Sequence, residues 1–201
     1  MPSAVHYVPI VTTAVAIAFA TLAFVLEVSS AVFYSAAAGF SHHLSVAPIV
    51  LLQSGPGGAG LIRWGSLVDM FGYLCLAPVV LYLRDRYAGA PLIDLYAVAG
   101  LALIVIGSIG AVVMSTSASH LIAGYEAASP SGRQNLEVVF GAVYRAVVEG
   151  MWQTLETIPA AVWLLGTANA ARGRSPRSVV WILLLIGLAN AGIAVFRLSG
   201  L

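Results

Sequence analysis

Lysine is absent from this 201-residue chain; all nine basic residues are arginine. That excludes a lysine Schiff base and a lysine nucleophile. Cysteine is limited to Cys75, inside an apolar run, so no intrachain disulfide, CxxC redox pair or thiolate metal cluster can form. Cys75 is expected to serve as a small buried hydrophobe. Charge is scarce: 8% of residues are charged, against about 25% in a soluble domain. A net charge of +1 offers nothing for nucleic acid to recognise. There is also no HExxH and no histidine pair at i,i+4, the spacing that puts two imidazoles on one helix face.

What fills the chain instead is apolar surface, 60% of the residues, with a mean hydropathy of +0.97. Several runs approach or exceed the roughly 20 residues that cross a bilayer as a helix. The expected fold is an all-α, polytopic membrane helix bundle. It has five transmembrane helices in a single domain, at about 9–34, 61–83, 91–117 with an extension to 128, 134–171 and 178–198. Pro9 suits a first helical turn. The first run is expected to be a retained span rather than a secretory signal, because no arginine precedes it and it is too long for a signal core. Residues 35–60 form the long loop, with Gly39, His42, His43, Pro48 and "SGPGGAG" at 54–60. Within it "VAPIVLL" is too short to cross and is expected to lie on the surface or fold back onto the bundle.

The arginines set an orientation. Arg84 and Arg86 follow the second span, and Arg172, Arg174 and Arg177 lie between the fourth and fifth. Arg63, Arg133 and Arg197 lie near helix ends on the opposite side. The excess places the first two groups in the cytoplasm. The N-terminus is then cytoplasmic and the C-terminus extracytoplasmic, in a cell inner membrane. Spans three and four, if straight, reach roughly 55 Å, well beyond a hydrocarbon layer of about 30 Å. With the 35–60 loop on the same side, their surplus predicts an extracytoplasmic cap.

The charged residues of "YRAVVEGMWQTLETIPAAVWLLG" (144–166) carry the functional question. At about 100° per residue, Arg145, Glu149, Trp152 and Glu156 fall within roughly 60° of arc. A charge at the centre of a lipid-facing helix costs about 2.5–3.5 kcal/mol, so this stripe is expected to face other helices. Candidate partners are Glu27 in span one, Asp69 with Ser66 and Tyr73 in span two, and His120 and Glu126 on the extension of span three. The expected ligand- or ion-binding set is Arg145, Glu149, Trp152, Glu156, Asp69, Glu27 and Tyr73. In the competing reading, Arg145 pairs with Asp69, Glu149 or Glu27 only to lock helices. Small residues such as Gly107/Ala111 and Gly187/Ala191 fit such close packing. Metal candidates reduce to His42, His43 and His120, with zinc or copper the ions those donors would suit. No catalytic residue and no cofactor is assigned.

Two stretches resemble the DUF4386 group of small bacterial integral membrane proteins. They are "LIRWGSLVDMFGYLCLAPVVLYLRDR" (61–86) and "GMWQTLETIPAAVWLLGTANAARGRSPRSVVWILLLIGLANAG" (150–192). The likeness lies in Arg63-x-Gly65 with Asp69 six residues after the arginine, and in a Trp-rich span followed by an Arg/Pro turn and a Leu/Gly-rich helix. It implies a bacterial membrane setting and no defined activity.

The leading functional expectation is a non-enzymatic membrane protein. Its outer-leaflet polar pocket would bind a small ligand or ion, with Arg145 as anchor for an anionic group, or it would be an accessory subunit of a membrane complex. The alternatives are a transporter or proton-conducting protein using the intramembrane carboxylates, and an intramembrane enzyme that depends on a metal or carboxylate. The expected partners are the lipid bilayer and either a second copy or a larger membrane complex, with no nucleic acid.

Overall fold

The computed structural model describes residues 11–40 and 48–199, and all regular structure among them is helical. The helices are α1 (Thr13–Ala37), α2 (Pro48–Leu52), α3 (Gly55–Arg86), α4 (Ile93–Val113), α5 (Ser119–Tyr125), α6 (Pro130–Tyr144), α7 (Thr157–Ala171) and α8 (Arg177–Leu198). Two π-helical segments join them, Met114–Ala118 between α4 and α5 and Arg145–Leu155 between α6 and α7. Four helical stretches are long and apolar enough to cross a membrane: α1, α3, α4 continued through α5, and α8. Their outward faces carry large apolar side chains such as Phe24, Trp181 and Leu185. An outward apolar surface this extensive suits hydrocarbon rather than water.

Local chemistry explains where the helices start. Thr12 caps α1 by accepting from the Val15 N–H, and Ser129 caps α6 ahead of Pro130. The stretch expected as a loop before residue 61 is helical from Gly55 onward. Pro56 fits the first turn, where its missing N–H costs nothing. Gly55 turns the chain from α2 into α3 at φ +70°, a backbone conformation open to glycine. Within the "VAPIVLL" run, Pro48–Leu52 form α2, which folds back and buries Leu51 and Leu52. His42, His43 and Pro9 lie outside the described residues.

The main packing runs α1 on α3, α3 on α4, α4 on α7 and α7 on α8. Both arginine-rich turns meet at one end. There the Tyr87 and Ser175 hydroxyls are 2.7 Å apart, Arg174 donates to the Tyr87 carbonyl, and Tyr87, Ala90, Ile93, Ala170 and Ala171 form a small core. Arg84 also donates to Asp94 at 2.6 Å across this end. Asp94 is well exposed, so Asp94→Asn is expected to change thermal stability by less than about 1 kcal/mol, checked by melting in detergent. At the other end Leu52, Ile62, Met114, Ile122 and Phe140 build a second core from α2, α3, α5, α6 and the first π segment.

The π segments have local features. Pro159 has no N–H for the Leu155 carbonyl, so one α-helical bond is missing where the second segment ends and α7 begins. Within that segment the chain takes wide turns, with Glu156 N–H bonded to the Met151 carbonyl and the Thr154 hydroxyl to the Glu149 carbonyl. Near the first segment, Thr116 and Ser119 bond back to the Val112 and Ser115 carbonyls, a habit of such residues that bends helices.

Candidate functional site

The site is a polar layer between the two larger cores, buried at Ser66 and Asp69 and half-buried at its other side chains. Glu27 of α1 and Asp69 of α3 face each other within hydrogen-bonding reach. Glu27 Oε1 is buried and receives no N–H or hydroxyl. Two carboxyl groups can bond to each other only if a proton lies between them. Glycine makes room for this pair, since a Cβ at Gly72 would come within 2.5 Å of Glu27 Oε1.

One turn along α3 from Asp69, the Tyr73 hydroxyl donates to Glu156, 2.9 Å from Oε1 and 2.8 Å from Oε2. The nearly equal distances put the phenol on the bisector of the carboxylate. That is the approach suited to an ionised acid, whose two oxygens both accept. Gly107 of α4 seats the Tyr73 ring, and Gly110 seats the Trp152 indole, each leaving no space for a Cβ. Trp152 donates to the Gly107 carbonyl at 3.3 Å and meets the Tyr34 ring edge-on. On the other flank, Ser66 gives its single hydroxyl proton to the Ile62 carbonyl at 2.7 Å. The 2.6 Å contact between Tyr34 and Ser66 must then be donated by Tyr34.

The expected site residues therefore separate. Glu27, Asp69, Tyr73, Trp152 and Glu156 come together, while Arg145 and Glu149 are exposed and stay apart from them. The second π segment accounts for this. A wide i→i+5 turn takes about one residue more than an α turn, and each extra residue rotates what precedes it by roughly 100°. Across the eleven residues Arg145–Leu155, a stripe drawn with α periodicity is broken. Among the described residues, ion pairs join Arg84 to Asp85 and Asp94, and no carboxylate lies within 4 Å of the Arg145 guanidinium.

Tyr34, Gly72 and Gly110 were not expected in the site. Tyr34 follows Glu27 by seven residues, two turns on one face, and Gly72 follows Asp69 by three, so both had a periodic signal. His120 is exposed on α5. Among the described residues no group of three His, Cys, Asp or Glu side chains could hold a metal ion.

From the site toward the arginine-rich end lies an apolar cluster. Val80 of α3, Ala97, Leu103 and Ile104 of α4, and Ala160 and Trp163 of α7 pack into one layer. Three cavities of about 530, 270 and 240 Å³ lie elsewhere, lined by Gln153 and Arg197, by Glu137 and Phe140, and by Arg63 and His120. Comparison with known proteins finds no matching family model, no matching curated protein and no matching solved structure.

Proposed function

We propose that this is a non-enzymatic membrane protein whose intramembrane carboxyl layer binds a proton. The observation that carries the reading is the Glu27–Asp69 pair, a buried aspartate facing a half-buried glutamate with no cation beside it among the described residues. Two adjacent carboxylates in a bilayer are held far more cheaply with a shared proton than as two charges. A proton needs no cavity. Glu156 takes the neighbouring role of an ionised group steadied by Tyr73.

In this reading the α6–π–α7 helix is a fifth crossing. The arginine-rich end is cytoplasmic by the excess of positive charge, and the core of α2, α5 and α6 is the extracytoplasmic cap. The resemblance noted above favours a bacterial inner membrane. The apolar cluster of Val80, Leu103, Ile104 and Trp163 between the layer and the arginine-rich end favours a bound proton over a conducted one.

The test is labelling of the membrane-embedded protein with a hydrophobic carbodiimide, which attacks protonated carboxyls in lipid. A single adduct mapping to Glu27 or Asp69 is expected, with none on Glu156, and Glu27→Gln combined with Asp69→Asn should abolish it. Absence of any adduct on the folded protein would sink the shared proton. Proteoliposomes that collapse a pH gradient faster with the wild type than with Glu27→Gln would replace binding by conduction.

A further inference from the structure

A second site lies away from the carboxyl layer. Arg63 of α3 and His120 of α5 flank a cleft of about 240 Å³. Its other lining residues are small: Ala59, Gly60, Ser119 and Ala123. Among the described residues no carboxylate lies within ion-pairing distance of Arg63. The acid on this pair of helices toward the same end, Glu126, sits instead over Gly55, eight residues along α3 from Arg63. Arg63 therefore presents an uncommitted planar fork of donors, the geometry that matches two oxygens of an oxyanion. His120 adds a ring N–H donor from the facing helix. The small floor lets a bulky tetrahedral group approach the helix backbones.

Depth identifies the class of anion. Arg63 and Arg84 are 21 residues apart on one helix, roughly 31 Å at 1.5 Å per residue. A hydrocarbon layer is about 30 Å thick, so when Arg84 lies at one headgroup level Arg63 lies at the other. Trp64, beside it, is exposed as an interfacial tryptophan would be. At that level the abundant oxyanions are phosphate esters.

We propose that the Arg63–His120 cleft binds a phosphoryl group, supplied by a phospholipid headgroup at the membrane face remote from Arg84. It uses none of the carboxyl-layer residues and does not depend on their protonation.

The experiment is native mass spectrometry of the full chain released from nanodiscs of equal phosphatidylglycerol and phosphatidylcholine. A parallel thermal melt in neutral detergent runs with and without millimolar inorganic phosphate. Retention of phosphatidylglycerol is expected to fall at least threefold in Arg63→Gln and in His120→Leu, and to be unchanged in Arg133→Gln, an exposed arginine outside the cleft. Both cleft residues are exposed, and an unchanged melting midpoint will show that the variants fold. If inorganic phosphate raises the wild-type midpoint but not that of Arg63→Gln, while lipid retention is equal in all chains, the phosphoryl site stands and its source is water-borne. Equal loss of lipid in Arg133→Gln, or no effect of either cleft substitution in both arms, would overturn the site.

Discussion

Gly107→Val is expected to destabilise the bundle by about 3 kcal/mol, at the upper end of what overpacking a close-fitted core costs. A drop of roughly 6–12 °C in the melting midpoint would accompany it. Even the first atom of a side chain at 107 falls on three atoms of the Tyr73 ring. Tyr73 cannot swing aside freely, because its hydroxyl is tied to both oxygens of Glu156. Yielding the space therefore means breaking a buried hydrogen bond or parting α4 from α3. Gly141→Val in α6 is the control, since a Cβ there meets nothing within 4 Å; its effect should stay below about 1 kcal/mol. Tyr73→Leu in the Gly107→Val background should recover part of the loss, since contacting residues couple. Equal midpoints for the two glycine variants would show that α4 and α3 are not held at this distance.

The apolar framework was legible in the sequence because bilayer-length runs depend on composition along the chain. Glu27, Asp69, Tyr73 and Glu156 were legible as a group because a charge inside such a run must turn inward. What misled the reading was periodicity. The segment Arg145–Leu155 takes wider turns than an α-helix, and that removes Arg145 and Glu149 from the face that α-helical spacing assigns them. An α wheel has no place for such turns. The 54–60 stretch failed in the opposite sense: beyond the turn at Gly55, glycines that look like loop punctuation are helical. Gly58 is hemmed in by the Ser54 hydroxyl, and Gly65 by Phe33 of α1. Glycine in a lipid-facing bundle marks close approach as often as a turn, and only the partner helix tells the two apart.

Tyr73→Phe separates the roles of the three acids. If Glu156 is the ionised member, removing its phenol donor leaves a half-buried carboxylate short of a partner and costs about 1.5–3 kcal/mol, the range for hydrogen bonds to charged groups. A neutral Glu156 would lose only about 1 kcal/mol. Glu156→Gln should be milder than Tyr73→Phe, since the amide oxygen still accepts from the phenol. In the Glu156→Gln background, Tyr73→Phe should fall to the neutral value. The difference between the two Tyr73→Phe effects, measured by thermal or denaturant unfolding, isolates the charge on Glu156. A coupling of at least about 0.5 kcal/mol is expected. Zero coupling would mean that Glu156 also carries a proton, and the layer would then hold two protons among its three carboxyls. The shared proton of Glu27 and Asp69 would survive that result, but the contrast that keeps carbodiimide off Glu156 would not. The two measurements therefore constrain each other: an ionised Glu156 by the cycle requires an unlabelled Glu156 by mass, with the adduct on α1 or on Asp69 of α3.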